Sequence, residues 1–353
     1  MADEYTQLAR HLDSLPAGFP PTESGVEIKI LKKLFTPREA EIASRLSMMP
    51  QTVENLASKL DMEAGELGRV LEQMAQKGLI FRYRKKGTVS YMSAQFVVGI
   101  WEYHVNDLDE ELIGYFNEYV PVLMRTAWER TRTKQMRIIP VSEEVVPDAV
   151  VMPYDQAEKI VASQSRIAVA PCICRRERGM LGEACGAPVQ TCLIFGAGAD
   201  FYVENGLGRE IAQQEAMDIV DQGRKAGLVL QPSNAQKPVA MCLCCGCCCQ
   251  ILRNVKRMDR PSRLVHTNFQ AQVDPEACTG CGVCEGLCPM QAITCEETAG
   301  IDPDRCIGCG VCVSGCELGA LHLGPREGET VYEPPRNVVE TYMNMARERM
   351  GDA

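Results

Sequence analysis

The chain has 353 residues, of which 46% are hydrophobic and 24% are charged, so it is long enough to bury a core and to form two or three domains. Its net charge of −10 is uneven, because residues 271–324 carry eight acidic side chains and a single arginine. This acidic balance argues against bulk binding of nucleic acid, which needs a basic surface. The sequence contains no run of about 18 apolar residues, which is the length that would predict a membrane span.

Nineteen cysteines raise the question of disulfides. Disulfide-rich secreted proteins are usually short and follow a signal peptide. This chain instead starts with Met1-Ala-Asp-Glu, with neither a basic segment nor an apolar one behind it. We therefore expect a cytoplasmic location, where clustered thiols hold metal more often than they pair with each other.

The first 95 residues are predicted to form an N-terminal arm and a small domain. Scattered prolines and polar residues predict an irregular arm up to about residue 30. After it, Thr36 is the expected N-cap of a helix, with Pro37 at the first helical position and Glu39 at the third. Apolar spacing predicts three helices and then a hairpin, over residues 37–48, 51–60, 64–77 and 79–92.

Three helices followed by a hairpin resemble a winged helix-turn-helix domain, and the resemblance covers about residues 30–95. In DNA-binding members the start of the third helix faces the bases, but here that start carries Glu63 and Glu66, which repel phosphate. The cations suited to a phosphate contact lie in the hairpin, at Arg82, Arg84, Lys85 and Lys86. We favour an interaction or scaffolding role for this domain, with DNA binding as the alternative.

The segment 96–139 is predicted to be a helical connector, because aromatic residues concentrate there as in packed helices. The next segment, 140–270, is predicted to be a cysteine-rich domain that contains ten cysteines and a helix over about 209–226. A ferredoxin-like segment over 271–325, argued below, and a helical tail over 326–353 complete the expected domain organisation. The fold class is therefore α+β and multidomain.

An internal repeat occupies the segment after residue 271. Its two copies start at Asp274 and Asp302, align without gaps, and each contain the spacing C-x2-C-x2-C-x3-C. This spacing resembles that of bacterial ferredoxins with two [4Fe-4S] clusters, in which the fourth cysteine of each run ligates the cluster of the other run. The resemblance implies one cluster held by Cys278, Cys281, Cys284 and Cys316, and a second held by Cys306, Cys309, Cys312 and Cys288.

Glycines within each run allow the backbone to curl around a cluster and to offer amide N–H groups to its sulfurs. They stand at Gly280, Gly282, Gly308 and Gly310. Zinc is the usual alternative for four cysteines, but two interlocked runs of this spacing favour iron–sulfur clusters. Cys295 falls outside the pattern, and we interpret it as a small buried apolar residue.

The ten middle cysteines form two groups in the sequence. The first group has the spacing C-x-C-x10-C-x6-C and consists of Cys172, Cys174, Cys185 and Cys192. The second group places six cysteines within residues 242–249. Three of the six, Cys242, Cys245 and Cys248, reproduce the C-x2-C-x2-C loop of a cubane cluster, and we expect them to take a missing ligand from the first group.

The remaining three cysteines of the second group, Cys244, Cys247 and Cys249, are possible further ligands. Arginines and lysines follow both groups, and such cations would stabilise an anionic cluster. We favour one or two further [4Fe-4S] clusters, which gives three or four in the chain. A structural zinc site and a set of redox-active thiols remain as alternatives.

The middle region also resembles the multi-cysteine iron–sulfur proteins of anaerobes that end in a ferredoxin module, a group without an established reaction. The leading hypothesis is an electron-transfer protein that passes single electrons between a redox enzyme, or a larger oxidoreductase complex, and a soluble carrier. The alternatives are an iron–sulfur redox sensor that regulates transcription and an oxidoreductase with an open coordination site in its middle cluster. The sequence favours a carrier or an oxidoreductase subunit over a stand-alone enzyme.

Overall fold

The computed structural model of the protein describes residues 3–141, 151–326, 328 and 330–351. The helices are α1 (Glu4–Ser14), α2 (Val26–Leu34), α3 (Pro37–Ala43), α4 (Val53–Leu60), α5 (Ala64–Gln76), α6 (Trp101–Tyr103), α7 (Glu110–Leu123), α8 (Ala157–Ala162), α9 (Ile173–Met180), α10 (Ala197–Glu204), α11 (Gln213–Lys225), α12 (Gln250–Lys256), α13 (Val283–Leu287), α14 (Val311–Ser314) and α15 (Val338–Met350). The strands are β1 (Phe81–Lys85), β2 (Thr88–Met92), β3 (Ile167–Pro171), β4 (Gln190–Phe195), β5 (Arg209–Glu210), β6 (Val229–Pro232), β7 (Ala240–Cys244), β8 (Phe269–Val273), β9 (Ile293–Cys295), β10 (Ala299–Ile301) and β11 (Leu321–Pro325).

The chain divides into two compact units. Unit 1 consists of Met1–Arg132, Ala197–Arg209 and Tyr342–Ala353, and unit 2 of Thr133–Gly196 and Glu210–Thr341. The predicted cysteine-rich segment includes residues 142–150, and the predicted helical tail includes Glu327, Glu329 and residues 352–353. These positions lie outside the described residues. None of the helices in the described part of the chain combines the length and the apolar character that a membrane crossing requires.

The start of unit 1 is more regular than its sequence predicts. The predicted irregular arm is wrong over Glu4–Ser14, which form α1. The Asp3 side chain caps this helix by accepting a hydrogen bond from the Thr6 N–H, and Leu8 and Leu12 bury one face of it. The four-residue spacing of these two leucines was the local signal for a helix.

The three predicted helices and the hairpin of unit 1 are present as α3, α4, α5 and β1–β2. Thr36 caps α3, and Glu39 completes the predicted capping box by accepting from the Thr36 N–H. Helix α3 ends at Ala43, five residues before the predicted end. The winged-helix resemblance of this set of elements stays a prediction.

Aromatic side chains fill the core of unit 1. The Phe19 ring lies 4.7 Å from that of Phe96 and 4.8 Å from that of Tyr119, and Trp101 stacks on Phe116 with ring centroids 3.6 Å apart. These rings are fully buried, so their concentration in the sequence reflects packing. The segment that holds them is helical only in part, since residues 97–99 have non-helical backbone angles before α6 begins.

Unit 2 is built on a five-stranded sheet with the order β5-β3-β4-β7-β6. Strand β4 pairs antiparallel with both β3 and β7, and β7 pairs antiparallel with β6. Helix α11, predicted over about 209–226, covers one face, where Gly223 lies against Leu243 of β7. Successive side chains of a strand alternate between faces, so the neighbours of Leu243 along β7 point to the opposite face.

The end of unit 2 holds the two repeats. Strands β8 and β11 pair at its start and end, β9 pairs with β10 between the repeats, and α13 and α14 follow the second glycine of each repeat. Within the predicted helical tail over 326–353, Val338–Met350 form helix α15.

Candidate metal centres

The face of the five-stranded sheet opposite α11 carries thiols. Cys192 of β4 stands directly opposite Cys242 of β7 in the strand register, and their Sγ atoms lie 3.9 Å apart. Cys244 follows two residues after Cys242 and therefore points to the same face. Gln231 of β6 also faces this side, because its side-chain amide donates to the Sγ of Cys249 at 3.7 Å.

Six thiols join in one connected set on this face. The Cys174 thiol contacts Cys172 and Cys249, and the Cys244 thiol contacts Cys242 and Cys249. Cys172, Cys244 and Cys249 are buried, and the other three are half-buried. We call this set the six-thiol group: Cys172, Cys174, Cys192, Cys242, Cys244 and Cys249.

Hydrogen bonds between the thiols of this group shift their pKa values in opposite directions. Hydrogen bonds with Cys174 and Cys244 hold the pKa of Cys249 well below its ordinary value. Those with Cys192 and Cys244 do the same to the pKa of Cys242. Hydrogen bonds and burial raise the pKa of Cys174 and of Cys244. Metal ligation requires thiolates, so closely spaced thiols of this kind are candidate ligands.

Four other thiols meet in the loop between β7 and α12. The Sγ of Cys185 lies 3.8 Å from that of Cys245 and 3.5 Å from that of Cys248, and Cys247 and Cys248 are 3.7 Å apart. All four Sγ atoms lie within 4.8 Å of one another. We call this set the four-thiol group: Cys185, Cys245, Cys247 and Cys248.

The loop triplet expected from the sequence does not form. Cys245 and Cys248 belong to the four-thiol group, whereas Cys242 lies beside Cys192 on the sheet. The physical reason is that Cys242 is still part of β7, where residues alternate between faces, while Cys245 begins the loop. The spacing of a cubane loop therefore spans a strand end and divides between two groups. Both groups do include cysteines from the first sequence group, as expected. Cys185 joins the four-thiol group, and the other three join the six-thiol group.

Arg175 lies between the two groups. Its guanidinium is held by three neutral oxygens: the carbonyls of Pro188 and Leu243 and the hydroxyl of Thr191. The residue is only 4% exposed. Burial acts to lower its pKa, but the charges of Cys172, Cys245 and Cys244 raise it above the ordinary value. A buried cation that faces both sets of sulfurs stabilises negative charge in each of them.

The second ferredoxin-type set lines a cavity. Cys288, Cys306, Cys309 and Cys312 face it together with apolar side chains such as Ile293 and Ile307. The amide of Ala292 donates to the Sγ of Cys288 at 3.2 Å, and that of Ala271 to the Sγ of Cys306 at 3.5 Å. The cysteine of the first repeat thus lies with the three of the second, as the resemblance implies.

Burial raises the pKa of the thiols around this cavity. For Cys312 burial comes first, the charges of Cys306 and Cys288 add to it, and the pKa is raised to about 12. Burial also raises the pKa of Cys309 well above its ordinary value. Such thiols ionise only when a cation replaces their protons, and the cavity with its amide donors therefore fits a [4Fe-4S] cluster.

The thiols of the first ferredoxin-type set are closer to the surface. Cys281 is exposed, Cys284 is buried, and the Cys278 Sγ accepts from the Ala299 amide at 3.3 Å. Cys316 follows Gly315, which packs on Leu287 of the first repeat. This contact brings the ends of the two repeats together.

Cys295 differs from the small buried apolar residue that the sequence predicts. Its Sγ lies 3.6 Å from that of Cys284, and the residue is half-buried instead of enclosed in the core. The pKa of Cys284 is raised to about 11 by burial and by this thiol contact. The contact depends on the pairing of β9 with β10, so no local spacing could have revealed it.

Two glycines explain how the loops come close to their surroundings. Gly280 and Gly308 occupy the same place in the two repeats, with φ of 64° and 63°. A Cβ atom at Gly308 would lie 2.0 Å from the Phe269 carbonyl oxygen, and one at Gly280 would lie 2.6 Å from that of Glu296. Only glycine combines this backbone conformation with so close an approach.

The basic hairpin of unit 1 differs from its expected role. Arg82, considered suitable for a phosphate contact, has a side chain that is 2% exposed and lies 2.6 Å from both Glu72 and Glu204. Arg84 also pairs with Glu204, at 2.9 Å. Lys85 and Lys86 are exposed. Two of the four cations predicted to contact phosphate, Arg82 and Arg84, are therefore engaged in ion pairs within unit 1.

Residues 271–294 and 299–322 match the family model of the 4Fe-4S binding domain. The chain has no significant match among the curated proteins or among the solved structures. The C-terminal part is thus a ferredoxin-type iron–sulfur module, and the two middle thiol groups are additional candidate sites.

Proposed function

We propose that this protein transfers single electrons between a redox enzyme and a soluble carrier. Two [4Fe-4S] clusters of the ferredoxin module and one further iron–sulfur cluster in the six-thiol group would supply the one-electron chemistry. Cys278, Cys281, Cys284 and Cys316 would hold the first cluster. Cys306, Cys309, Cys312 and Cys288 would hold the second.

The observation that carries this proposal is a gradient of burial within unit 2. The thiols that line the second ferredoxin site are buried or half-buried, as are those of the six-thiol group, whereas Cys281 of the first site is exposed. Buried thiols keep water and oxidants away from a cluster, and an exposed one gives a partner access. The gradient favours electron exit at the first ferredoxin site.

The surface around Cys281 suits a partner with a basic face. Val283 and Leu287 are exposed there, and acidic side chains such as Glu285 and Glu276 are exposed in the same repeat. Complementary charge accelerates encounter, and the acceleration falls as ionic strength rises. We therefore propose that the carrier docks here through a face on which cationic side chains surround an apolar centre.

The six-thiol group favours electron transfer over the alternative of an open-site enzyme. A cubane cluster needs four thiolates, and this group offers two more than that. No iron of such a cluster needs to lack a protein ligand. The regulatory alternative gains no support from the hairpin, because Arg82 and Arg84 are paired with acids.

Metal analysis and delivery kinetics test the proposal. Purified without oxygen, the full chain should contain about 12 iron atoms, whereas a content of about eight iron atoms would mean that only the ferredoxin module binds iron.

After photoreduction, wild type should reduce a cationic dye faster than an anionic one, and added salt should reduce the difference between the two rates. In Cys278→Ser, delivery should slow while the other clusters still become reduced in EPR spectra. Unchanged delivery in that variant would show that electrons leave elsewhere.

A further inference from the structure

The four-thiol group has the dimensions of a site for a single metal ion. Its measured Sγ separations are 3.5, 3.7 and 3.8 Å, and no two of its Sγ atoms are more than 4.8 Å apart. A tetrahedral ion with metal–sulfur bonds of about 2.3 Å holds its sulfurs about 3.8 Å from each other. The three measured separations thus match the edges of such a tetrahedron.

The second ferredoxin site of the same unit provides an internal comparison. Its thiols surround a cavity, because each thiolate of a cubane binds a different iron at a separate corner. Across the part of the chain that the structure describes, the four-thiol group is the one set of three or more ligating side chains whose ligand atoms close to within 4.8 Å. The six-thiol group, which is joined through pairwise contacts, does not close in this way.

The chain builds this group as a closed site. Cys245, Cys247 and Cys248 come from one turn, and Cys185 comes from the loop after α9 and supplies the fourth sulfur. Cys248 is 1% exposed, which places the interior of the group out of reach of water on that side. Four protein ligands with no open position are the mark of a structural metal site rather than a catalytic one.

We propose that Cys185, Cys245, Cys247 and Cys248 hold one Zn²⁺ ion, separate from the iron–sulfur clusters of the chain. Four thiolates in a tetrahedron suit zinc, which binds such a site more tightly than Fe²⁺ does in the Irving–Williams order. The Zn²⁺ and four thiolates together carry a charge of about −2, and the guanidinium of Arg175, which contacts Cys245, offsets part of it.

The ion would fix the turn that touches the ferredoxin module. Gly246 lies between two of the ligands and packs on Pro289, the residue after Cys288. The carbonyl of Gly246 also accepts from the Lys256 ammonium at 3.5 Å. Zinc has no redox chemistry of its own, so it would hold this seam in the same geometry in every redox state of the clusters.

The full chain, produced with iron and zinc both available, gives the direct test. Elemental analysis should find about one zinc per chain, and X-ray absorption at the zinc edge should show four sulfurs at about 2.3 Å and no lighter ligand. This readout sees zinc alone and does not depend on activity. A chain without zinc, or with oxygen or nitrogen in the zinc shell, would overturn the proposal. A mononuclear iron or an additional cubane bound by these four cysteines would do the same.

Matched serine variants separate the two middle groups. Cys247→Ser and Cys185→Ser should each lose the zinc and keep the iron content of wild type. The triple variant Cys172→Ser/Cys192→Ser/Cys242→Ser leaves the six-thiol group with three thiols, fewer than a cubane needs, so it should lose iron and keep the zinc. If Cys247→Ser and Cys185→Ser both lose iron in place of zinc, the four-thiol group holds a cluster. Zinc content and electron delivery are measured independently, so the failure of one proposal leaves the other standing.

Discussion

Gly246 and Pro289 approach so closely that no side-chain carbon fits at position 246. A Cβ atom there would lie 2.9 Å from both the Cβ and the carbonyl oxygen of Pro289. Arg305 reinforces the same seam, because its guanidinium donates to the carbonyls of Met290 and Lys256, both at 2.9 Å. The cysteine-rich turn and the ferredoxin module are thus packed backbone against backbone.

Gly246→Ala should therefore destabilise unit 2. The added methyl group meets backbone atoms that cannot rotate away, and overpacking of this kind costs about 1–3 kcal/mol. Heating under anaerobic conditions should bleach the iron–sulfur absorbance of the variant at a lower temperature than that of wild type. Gly286→Ala is the control, because a Cβ atom at that glycine meets nothing within 4 Å. Equal bleaching temperatures for the two variants would contradict the close approach.

Arg175→Ala should lower the reduction potential of the cluster in the six-thiol group. A buried cation stabilises the more negative, reduced form, so its loss makes reduction harder. The variant also leaves the oxygens of Pro188, Thr191 and Leu243 without their donor, so reduced iron content is expected as well. EPR-monitored redox titration measures the shift. Arg175→Lys keeps the charge and should restore part of the potential, whereas equal shifts in both variants would argue against a charge effect.

The ferredoxin ligands could be predicted because their spacing is local. Three sulfurs of each site come from one loop, and the loop's own glycines set its curl. The six-thiol group could not be predicted in this way. It depends on which residue of β4 stands opposite Cys242, and that register is fixed by long-range pairing of strands.

The cysteines of residues 242–249 divide between two groups because two residue spacings overlap in this segment. A spacing of three suits a loop around a cluster, whereas a spacing of two suits one face of a strand. Cys242 and Cys244 belong to β7 and obey the strand period, and the loop begins only at Cys245. The end of a strand is among the hardest features to infer from sequence. In contrast, the capping box at Thr36 and Glu39 is a local pattern, and the structure contains it as predicted.

Arg82→Ala should destabilise unit 1 without affecting the metal sites. Removing this buried guanidinium leaves Glu72 and Glu204 paired with the more exposed Arg84. The expected loss is about 3 kcal/mol, at the lower end of the range for a broken buried pair, because both acids are partly exposed. Both tryptophans, Trp101 and Trp128, lie in unit 1, so their fluorescence in urea reports its unfolding.

The exposed Lys85 of the same hairpin supplies the control for this variant. Lys85→Ala should leave the urea midpoint close to that of wild type, and both variants should keep the wild-type iron content. A loss of iron in Arg82→Ala would mean that the hairpin supports unit 2 as well. An unchanged midpoint would mean that the ion pairs contribute little to the stability of unit 1.

Acid should weaken unit 1 through the same ion pairs. Burial raises the pKa of Glu204, but hydrogen bonds from Arg84 and Arg82 outweigh it and hold the pKa below its ordinary value. A lowered pKa in the folded state contributes stability above the ordinary glutamate pKa, and this contribution is lost as the pH falls through the folded value. The urea midpoint by tryptophan fluorescence should therefore fall in acid, and it should fall less in Arg82→Ala. Parallel pH curves for the two proteins would exclude this linkage.

Removal of iron should allow Cys284 and Cys295 to oxidise to a disulfide. With the first ferredoxin site stripped of metal, the Sγ atoms of Cys284 and Cys295 are 3.6 Å apart and free to join. Oxygen then accepts the two electrons and two protons that the thiols give up as the disulfide forms. Peptide mass mapping of air-exposed apoprotein should detect the Cys284–Cys295 link, and rebuilding the cluster from iron and sulfide should need a thiol reductant. Cys295→Ser cannot form the link, so it should rebuild without reductant at this site. If wild type also rebuilds without reductant after exposure to air, the two thiols do not trap each other in this way.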